Sequence, residues 1–490
     1  MAKLHLDRPP PAGLERSAAW LARWWLPLLL LLGAALYLPF LGARPLRFEE
    51  GRRALQALEI LAGGSWWHLQ VLGEPYLAKP PLLPWLMAIT AEVRGELDEV
   101  AVRLPAVLSV LWGAAGAGGL ARVLAPERGR LAALAAGVAF FSCAYVFTKA
   151  RLGETDTLVT VFCGTAFSIW IWGRQAGRLS LPIWLGVCSF LAASAFTKGP
   201  IPLAFPAIPL LLIPLLQRQW GEFGLAAAVL VLAFLPLGVW VWLNLPETGL
   251  QGWMGEMRVA GRGGPPADYW WHLLHLNQVP NALIYTLPWC IPAALSVASR
   301  RRALLGENWP ILALLLYAVP FAVFVLLTPE ARPRYAMPIA WPVAVLAGLW
   351  IAAAWQHRRL PAIFLIGGFL FIVVHQAIVL GIFEGRTDSQ RAFRARTDAL
   401  AAAVAPLSSG RIYLFDSARE PDHNSLSYAG RPLQRDHARR EFCPAKGRYL
   451  LVSARDRETA DASPYWRLKE DIAESWMGLY ERTPKSCPPA

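Results

Sequence analysis

FEEGRRALQALEILAGGSWWHLQVLGEPYLAKPPLLPW, residues 48–85, follows the first long apolar segment of the chain directly. It opens with two adjacent carboxylates, Glu49 and Glu50, followed at once by arginines, and near its end Lys79 precedes two prolines. Charged groups this close to hydrocarbon are costly unless they serve a site, because little water is there to solvate them. The stretch therefore predicts half of an active site at a membrane surface.

The composition is typical of a membrane protein with a soluble tail. Of the 490 residues, 56% are hydrophobic and only 17% are charged, and long apolar runs extend from Trp24 to Phe383. The formal charge of +13 comes largely from arginines in short loops beside these runs. This placement favours membrane topology and anionic lipid or phosphate as the explanation. We therefore expect membrane lipids among the partners, and no nucleic acid.

Eleven apolar runs approach or exceed the roughly 17 to 20 residues that a membrane-crossing helix needs. They are 22–42, 103–124, 130–149, 156–172, 181–197, 200–216, 223–244, 281–298, 309–328, 336–355 and 361–383. The run 81–93 is short and flanked by charges, which is typical of a juxtamembrane or re-entrant helix. The predicted fold is an α-helical polytopic membrane protein with about 11 to 13 transmembrane helices.

The distribution of arginine predicts the orientation of these spans. With the N-terminus in the cytoplasm, every loop between spans on the cytoplasmic side carries arginine, as the positive-inside rule requires. The outer face then receives the loop 43–102, the loop 245–280 and the tail. The charged motifs that the rule leaves unexplained gather on that face: Glu49, Glu50, Arg52, Lys79, Arg151, Asp156, Lys198, Arg332 and Arg334. Their convergence predicts a site.

Carboxylates lie at two separate span ends on this face. They are Glu49, Glu50, Glu154 and Asp156. Two acidic groups near a reacting hydroxyl or phosphate could divide the roles of base and positioning group. The alternative is that Glu49 and Glu50 only form interfacial ion pairs with the neighbouring arginines.

The cations are suited to phosphate. Lys79 precedes two prolines, and Arg334 lies between Pro333 and Tyr335, so both are on stiffened segments. Arginine binds phosphate through two parallel hydrogen bonds, and lysine acts as a compact point charge. With the tyrosine hydroxyl they could hold a lipid-linked phosphate, although basic side chains also commonly reach towards lipid head groups. Lys198 either lines this pocket or ends a span.

Weaker signals concern metals, disulfides and nucleotides. His272 and His275 share a helical spacing that could bind a metal, but an interfacial helix is the favoured interpretation. No metal ligand is therefore assigned, although a divalent metal remains possible. Cys443 and Cys487 could form a disulfide if the tail lies in an oxidising compartment. No glycine-rich phosphate loop is present, which argues against a nucleotide-driven pump.

The tail after the last span predicts a small α/β domain. RAFRARTDALAAAVAPL has helical spacing, and RIYLFD and GRYLLVSA have the pattern of short buried strands. We therefore divide the chain into a transmembrane domain, residues 1–385, and a soluble outer domain, residues 386–490.

Taken together, four segments resemble a known group of membrane enzymes. The stretch 48–85 is similar to the first outer loop of the bacterial relatives of protein O-mannosyltransferases, which include the 4-amino-4-deoxy-L-arabinose lipid A transferases of the GT-C superfamily. RLGETDTLVTVF, AFTKGPIPLAFP and RPRYAMPIAWP match the later motifs in order. The resemblance covers roughly residues 20–385 and implies a GT-C fold.

The resemblance also implies roles for the residues of this site. Glu49 takes the place of the catalytic acid, with Asp156 as the acid of the second outer loop. The donor phosphate would be held by Arg52, Lys79, Arg334 and Tyr335. Supporting positions would be Glu50, Arg151, Lys198 and Arg332.

The implied activity is that of an integral membrane glycosyltransferase. It would use a polyprenyl-phosphate sugar donor and act by inversion on lipid A or another lipid or glycan acceptor. Its place would be the bacterial inner membrane, with the C-terminal domain in the periplasm. Open alternatives are a protein or glycan O-glycosyltransferase of the same fold and a lipid transporter. A transporter would have ionisable groups deep inside its spans and internal repeats, and the sequence has neither pattern.

Overall fold

The computed structural model of the protein describes residues 12–245, 284–301, 304–327, 333–356, 359–378, 388–407, 412–415, 422–435, 448–472 and 476–483. The chain forms two compact units. The first comprises Met1–Pro39, Ala78–Leu82 and Ala106–Ile378, and the second comprises Phe40–Leu77, Leu83–Pro105 and Val379–Ala490. The opening stretch of the sequence analysis therefore falls mostly in the same unit as the tail.

Helices dominate the chain up to residue 378. In order they are α1 (Ala12–Arg23), α2 (Trp25–Tyr37), α3 (Glu50–Leu61), α4 (Leu82–Arg94), α5 (Glu99–Leu124), α6 (Gly129–Ser142), α7 (Ala144–Lys149), α8 (Thr155–Gln175), α9 (Leu181–Lys198), α10 (Ala204–Leu216), α11 (Trp220–Ala233), α12 (Leu235–Leu243), α13 (Cys290–Arg300), α14 (Trp309–Leu327), α15 (Ala340–Ala354) and α16 (Leu360–Ile378). Short 3₁₀ helices, Ile201–Leu203 and Pro333–Ile339, precede α10 and α15.

The described helices confirm the polytopic architecture. Those long and apolar enough to cross a membrane are Glu99–Leu124, Thr155–Gln175, Leu181–Lys198, Trp220–Leu243 and Arg334–Ala354. Shorter apolar helices occupy the predicted spans 130–149, 200–216, 309–328 and 361–383. The run 81–93 forms α4, a separate short helix, in agreement with the juxtamembrane interpretation. The exact number of spans stays a prediction, because most of the loop before residue 284 lies outside the described residues.

The predicted spans 22–42 and 130–149 are interrupted in the structure. The run 22–42 is entered by a sharp bend of 84° between α1 and α2, at Trp24. The run 130–149 is broken at Cys143, whose extended ψ of 124° ends α6 before α7 begins. Hydropathy did not reveal either break, because apolar residues continue beyond each of them.

Close helix packing in the first unit depends on small residues. Gly348 of α15 faces α6 so closely that a Cβ would overlap the carbonyl of Ala132. Trp341, at the start of α15, lies directly against Gly164 of α8, and its indole nitrogen donates to Ser168. Small residues let membrane helices approach at backbone distance. These contacts fix α15 against α8, which carries Asp156 in its first turn. The 3₁₀ helix that precedes α15 carries Arg334.

The second unit contains the predicted α/β tail. Its elements are the hairpin strands β1 (Gln70–Val71) and β2 (Glu74–Pro75), helices α3 and α4, and in the tail α17 (Asp388–Val404), β3 (Ile412–Phe415), α18 (His423–Leu426), β4 (Leu433–Arg435), β5 (Tyr449–Ser453), α19 (Arg457–Asp461), β6 (Trp466–Ile472) and β7 (Met477–Arg482). The tail strands form one sheet in the order β4-β3-β5-β7-β6. β3 is parallel to β4 and β5, whereas β7 is antiparallel to β5 and β6. The predicted helix and both predicted strands are present.

One hydrophobic core joins the opening stretch to the tail. Leu55 of α3 and Val71 and Leu72 of the hairpin are buried together with Leu400 of α17 and Leu451 of β5. The sequence of α3 alternates apolar and charged residues, but this pattern does not indicate which segment covers the apolar face. The structure places that segment more than 300 residues further along the chain.

Shortening Leu55 tests this shared core. Leu55→Ala should lower the free energy of unfolding of the second unit by about 2–4 kcal/mol, because it leaves a cavity among side chains from both segments. Limited proteolysis of the tail and denaturant unfolding in detergent micelles would measure the loss. Leu468→Ala is the matched control, because Leu468 is 42% exposed on β6. Equal stability of the two variants would contradict a shared core.

Candidate active site

Asp156 and Lys198 form an ion pair between two neighbouring helices. Asp156 lies in the first turn of α8, and Lys198 is the last residue of α9. The Lys198 Nζ donates to Asp156 Oδ1. The lysine side chain is only 16% exposed, and the aspartate side chain is only 5% exposed. A carboxylate in the first turn and a cation in the last turn also suit the dipoles of their helices. The pair fixes the adjoining ends of α8 and α9.

Tyr335 lies beside Arg334, which the sequence assigned to phosphate binding, and beside Lys198, which it assigned to a supporting position. Lys198 Nζ lies 4.7 Å from the centroid of the Tyr335 ring, and the guanidinium carbon of Arg334 lies 5.8 Å from it. An aromatic face attracts cations through its quadrupole and holds them without neutralising their charge. The 3₁₀ helix Pro333–Ile339 supplies both Arg334 and Tyr335.

Glu154 adds a second carboxylate that bridges two cations. Its Oε2 is 2.6 Å from Lys149 Nζ at the end of α7 and 3.9 Å from Arg334 Nη1. Its other oxygen, Oε1, is buried and has no hydrogen-bond partner among the described residues. Buried polar atoms are nearly always paired in native proteins, so this oxygen is available for a donor group of a ligand.

These groups form what we call the charged cluster, all in the first unit. Its members are Lys79, Lys149, Glu154, Asp156, Lys198, Arg334 and Tyr335. Lys79, Lys198 and Arg334 all exert an electrostatic attraction on the Asp156 carboxylate. Four cations against two carboxylates leave a formal excess of two positive charges. The cluster can therefore accept an anion.

The structure thus brings together Lys79, Asp156, Lys198, Arg334 and Tyr335 from four separate motifs. Arg151 is held differently: its guanidinium donates to the Pro39 carbonyl oxygen at 3.0 Å. Arg332, His272, His275, Cys443 and Cys487 lie outside the described residues. Within the described residues, no group of three or more histidine, cysteine, aspartate or glutamate side chains is arranged to hold a metal.

In the second unit Glu50 is part of a buried clamp. Arg103 of α5 donates from Nε to Glu50 Oε1 at 2.8 Å and from Nη2 to Glu50 Oε2 at 3.0 Å. The same guanidinium donates to the carbonyl oxygens of Leu41, Arg44 and Pro45. With both oxygens of Glu50 engaged and its side chain fully buried, this residue holds the start of α3 in place.

Glu49 is the accessible carboxylate of the adjacent pair. It directly precedes α3 as the N-cap residue, and its side chain is 28% exposed. Its Oε2 lies 3.3 Å from Arg52 Nη1 and 3.6 Å from Arg53 Nη2. Arg53 is buried and donates to the hydroxyl of Tyr76 at 2.9 Å. The ion-pair alternative therefore describes part of the environment of Glu49, whose side chain is also partly exposed.

Sequence reasoning missed three polar residues of these sites: Lys149, Arg103 and Asn424. Lys149 and Arg103 lie at the ends of apolar runs, where a basic residue usually only marks the limit of a span. A charge five residues before Glu154 was the available signal for Lys149. Asn424 contacts the start of α3 from the tail, and no local pattern indicates that contact.

The overall architecture defines the class of protein. The chain superimposes on ArnT from Cupriavidus metallidurans bound to undecaprenyl phosphate with a TM-score of 0.70, covering 95% of this chain and 99% of that one at 16% identity. A more distant match is the archaeal oligosaccharyltransferase AglB from Archaeoglobus fulgidus, with a TM-score of 0.53 and 10% identity over 90% of this chain and 70% of that one. The chain has the GT-C-type fold that the sequence predicted, and it is a multi-pass membrane protein.

The sequence comparisons support the predicted resemblance. Residues 78–242 match the family described as "Dolichyl-phosphate-mannose-protein mannosyltransferase". The chain is 28% identical over 325 residues to the undecaprenyl phosphate-alpha-4-amino-4-deoxy-L-arabinose arabinosyl transferase of Aeromonas salmonicida, an alignment that covers 61% of this chain and 56% of that protein. The chain thus spans little more than half the length of that relative. Its resemblance to the aminoarabinose transferases, first seen in the motifs, is confirmed.

Proposed function

We propose that this protein is a membrane glycosyltransferase that moves a sugar from a polyprenyl-phosphate donor to lipid A or another cell-envelope glycolipid. The observation that carries the proposal is the charged cluster, in which cations from several segments surround Asp156 and Tyr335 at one end of α8 and α9. The similarity to the aminoarabinose transferases supports the same reaction class.

The charge of the cluster suits the phosphate of such a donor. A phosphodiester carries one negative charge, and the phosphate that leaves with the prenol carries up to two. The formal excess of two positive charges in the cluster matches the leaving group better than the donor. Fixed cations directed at charge that develops during a reaction lower its barrier. Lys79, Lys198 and Arg334 would therefore stabilise the departing polyprenyl phosphate.

The transfer would then proceed by inversion at the anomeric carbon. An acceptor hydroxyl attacks that carbon, the bond from the carbon to the phosphate oxygen breaks, and polyprenyl phosphate leaves with the bonding electrons. The hydroxyl proton passes to a carboxylate, which we assign to Glu49, because one side of this residue is accessible. Asp156, already bonded to Lys198, holds the phosphate-binding lysine in place. Arg52, which pairs with Glu49, would add positive charge for donor binding.

The reaction would take place at the outer face of the bacterial inner membrane. In this arrangement the N-terminus is cytoplasmic, and the domain 386–490 lies in the periplasm with the loop 43–102. The arginines in the loops on the opposite, cytoplasmic side support this orientation. A polyprenyl-phosphate donor needs no nucleotide sugar on that face.

A protein or glycan acceptor is the second candidate. The family that matches residues 78–242 has a description that names protein as the acceptor of mannose, and AglB is an oligosaccharyltransferase. These enzymes share the lipid-linked donor and differ in the acceptor. The acceptor must therefore be tested directly.

Transfer from isolated polyprenyl-phosphate sugars, followed by mass spectrometry, tests the proposal. Lipid A, envelope protein and glycan fractions would be offered as acceptors. Glu49→Gln should lower kcat by about 100-fold or more, because it removes the proton acceptor. Lys79→Ala should raise the KM for the donor by about tenfold and also lower kcat, because the lysine attracts the phosphate both in the donor and as it departs.

Glu92→Gln is the matched control for the charge change, because Glu92 is exposed on α4. Loss of product in Glu49→Gln but not in Glu92→Gln would support the assignment. A product unaffected by Glu49→Gln would move the base to Asp156 and keep the transferase. If no donor is consumed with any acceptor and labelled lipid crosses the bilayer instead, the transferase proposal is wrong.

A further inference from the structure

The turn that presents Glu49 has a strained backbone. Phe48, the residue before it, has a φ of +56°, in the left-handed region that residues with a side chain rarely adopt. Its ring is 66% exposed, so burial of the aromatic group does not compensate for the strain. Backbone strain of this kind costs of the order of 1–3 kcal/mol and persists only where surrounding contacts enforce it.

Asn424 of the tail supplies such contacts on both sides of Glu49. Its Oδ1 accepts from the Gly51 amide at 3.0 Å, and its Nδ2 donates to the Phe48 carbonyl oxygen at 3.3 Å. Gly51 is in the first turn of α3, where backbone amides have no partner inside the helix. Asn424 therefore caps α3 from a position 373 residues away in the chain.

The close approach of the tail explains the glycine at position 51. A Cβ added there would overlap the backbone of His423 and Asn424 in α18. Glycine within a helix is unfavourable by roughly 0.5–1 kcal/mol relative to alanine, so its presence needs a reason. The reason is that α18 lies directly against the first turn of α3.

A second set of bonds fixes the chain that leads into the turn. The Tyr428 hydroxyl accepts from the Leu46 amide at 2.8 Å and donates to Glu99 Oε1 at 2.7 Å. Burial and the neighbouring Glu99 carboxylate raise the pKa of Tyr428, so its hydroxyl keeps the proton that it donates. Arg394 of α17 also binds Glu99, at 2.5 Å. The tail thus holds residues 46–51 at several points.

We propose that Asn424 is a positioning residue for sugar transfer, because it holds the turn that aims the Glu49 carboxylate. The inference rests on the proposed role of Glu49 and extends it to the tail, which becomes part of the catalytic apparatus. Displacing a reacting group by about 1 Å can cost roughly 100-fold in rate. Most of the donor binding is assigned to Lys79, Lys198 and Arg334, so we expect the main effect of Asn424 on kcat.

Two variants separate the two hydrogen bonds that the Asn424 carboxamide makes. Asn424→Ala removes both hydrogen bonds and should lower kcat by about 10- to 100-fold, with the KM for the polyprenyl-phosphate donor within about twofold. Asn424→Asp keeps an acceptor for the Gly51 amide and should recover part of the loss. Asp471→Asn, on β6 of the same tail, is the control and should retain full kcat.

Hydrogen exchange of the peptide 46–52 in the full-length protein gives a measure that does not depend on activity. Exchange that rises in Asn424→Ala together with a lower kcat supports the proposal. If exchange in Asn424→Ala is unchanged, the proposal is wrong. It is also wrong if exchange in Asn424→Ala rises while its kcat is unchanged, in a preparation where Glu49→Gln is inactive. If Glu49→Gln and Asn424→Ala are both fully active although exchange rises, the assigned role of Glu49 fails, and the positioning role fails with it.

Discussion

Asp156→Ala should lower kcat for sugar transfer by about 100- to 1,000-fold without raising the KM for the polyprenyl-phosphate donor. Asp156 holds the ammonium group of Lys198, and that ammonium lies over the Tyr335 ring. Without the carboxylate, the positive charges of Lys79, Lys198 and Arg334 lose the counter-charge that lies among them. We expect Lys198 to move away from the other cations, so that the leaving phosphate is no longer stabilised.

The unchanged KM distinguishes this role from direct donor binding. When Lys198 moves away, the cluster loses one negative and one positive charge together, so its formal excess stays at two positive charges and its attraction for the donor phosphate is kept. The loss therefore appears in kcat, because only the stabilisation of the leaving phosphate is weakened. Lys79→Ala should by contrast raise KM, because it removes attraction for the phosphate.

A double variant tests the coupling between Asp156 and Lys198. If the aspartate acts by holding the lysine, Asp156→Ala combined with Lys198→Ala should be little worse than the more damaging single change. Steady-state kinetics of the four proteins in one vesicle preparation would measure this. Losses that multiply would show that the two side chains act independently and would contradict the positioning role.

Arg94→Ala is the control for breaking an ion pair. Arg94 lies 2.6 Å from Asp98, and both side chains are partly exposed. Exposed pairs contribute little to stability, typically about 0.2–1 kcal/mol. We therefore expect near wild-type kinetics from Arg94→Ala, which would tie the effect at Asp156 to its place in the charged cluster.

The charged cluster was largely predictable because its members lie at the ends of apolar runs. Lys79, Asp156, Lys198 and Arg334 are charged residues that topology alone does not explain, and the alternation of spans predicts that such ends meet on one face. Lys149 was missed because a basic residue after an apolar run has an ordinary explanation at the membrane surface. Hydropathy identifies where a helix ends, but it does not identify which charge faces inward.

The organisation of the second unit was less predictable. Its helix and strands follow from local patterns, as β3 and β5 show. The contacts of Leu55, Gly51 and Glu50 depend instead on residues that come from distant parts of the chain. A single sequence contains the apolar face of α3 and the unusual glycine, but only the fold reveals that the tail covers them.

Arg103 illustrates the same limit, and its replacement should have the largest effect on stability. Arg103→Leu is expected to lower the free energy of unfolding by about 3–5 kcal/mol, because it leaves the Glu50 carboxylate buried without its partner. Glu50 is fully buried and Arg103 is 3% exposed, so water cannot replace the lost bonds. The carbonyl oxygens of Leu41, Arg44 and Pro45 lose their donor in the same variant. Denaturant unfolding in mixed micelles would measure the change.

Removing both charges distinguishes a buried ion pair from simple loss of packing. Replacing a buried pair with apolar residues of similar volume is often nearly neutral, whereas removing one partner is strongly destabilising. Glu50→Leu combined with Arg103→Leu should therefore recover much of the stability that Arg103→Leu loses. If the double variant is as unstable as the single one, the three backbone carbonyl oxygens, and not Glu50, are the groups that require Arg103. Recovery of stability together with retained sugar transfer would establish that Glu50 supports the fold, and that Glu49 is the member of the pair available for catalysis.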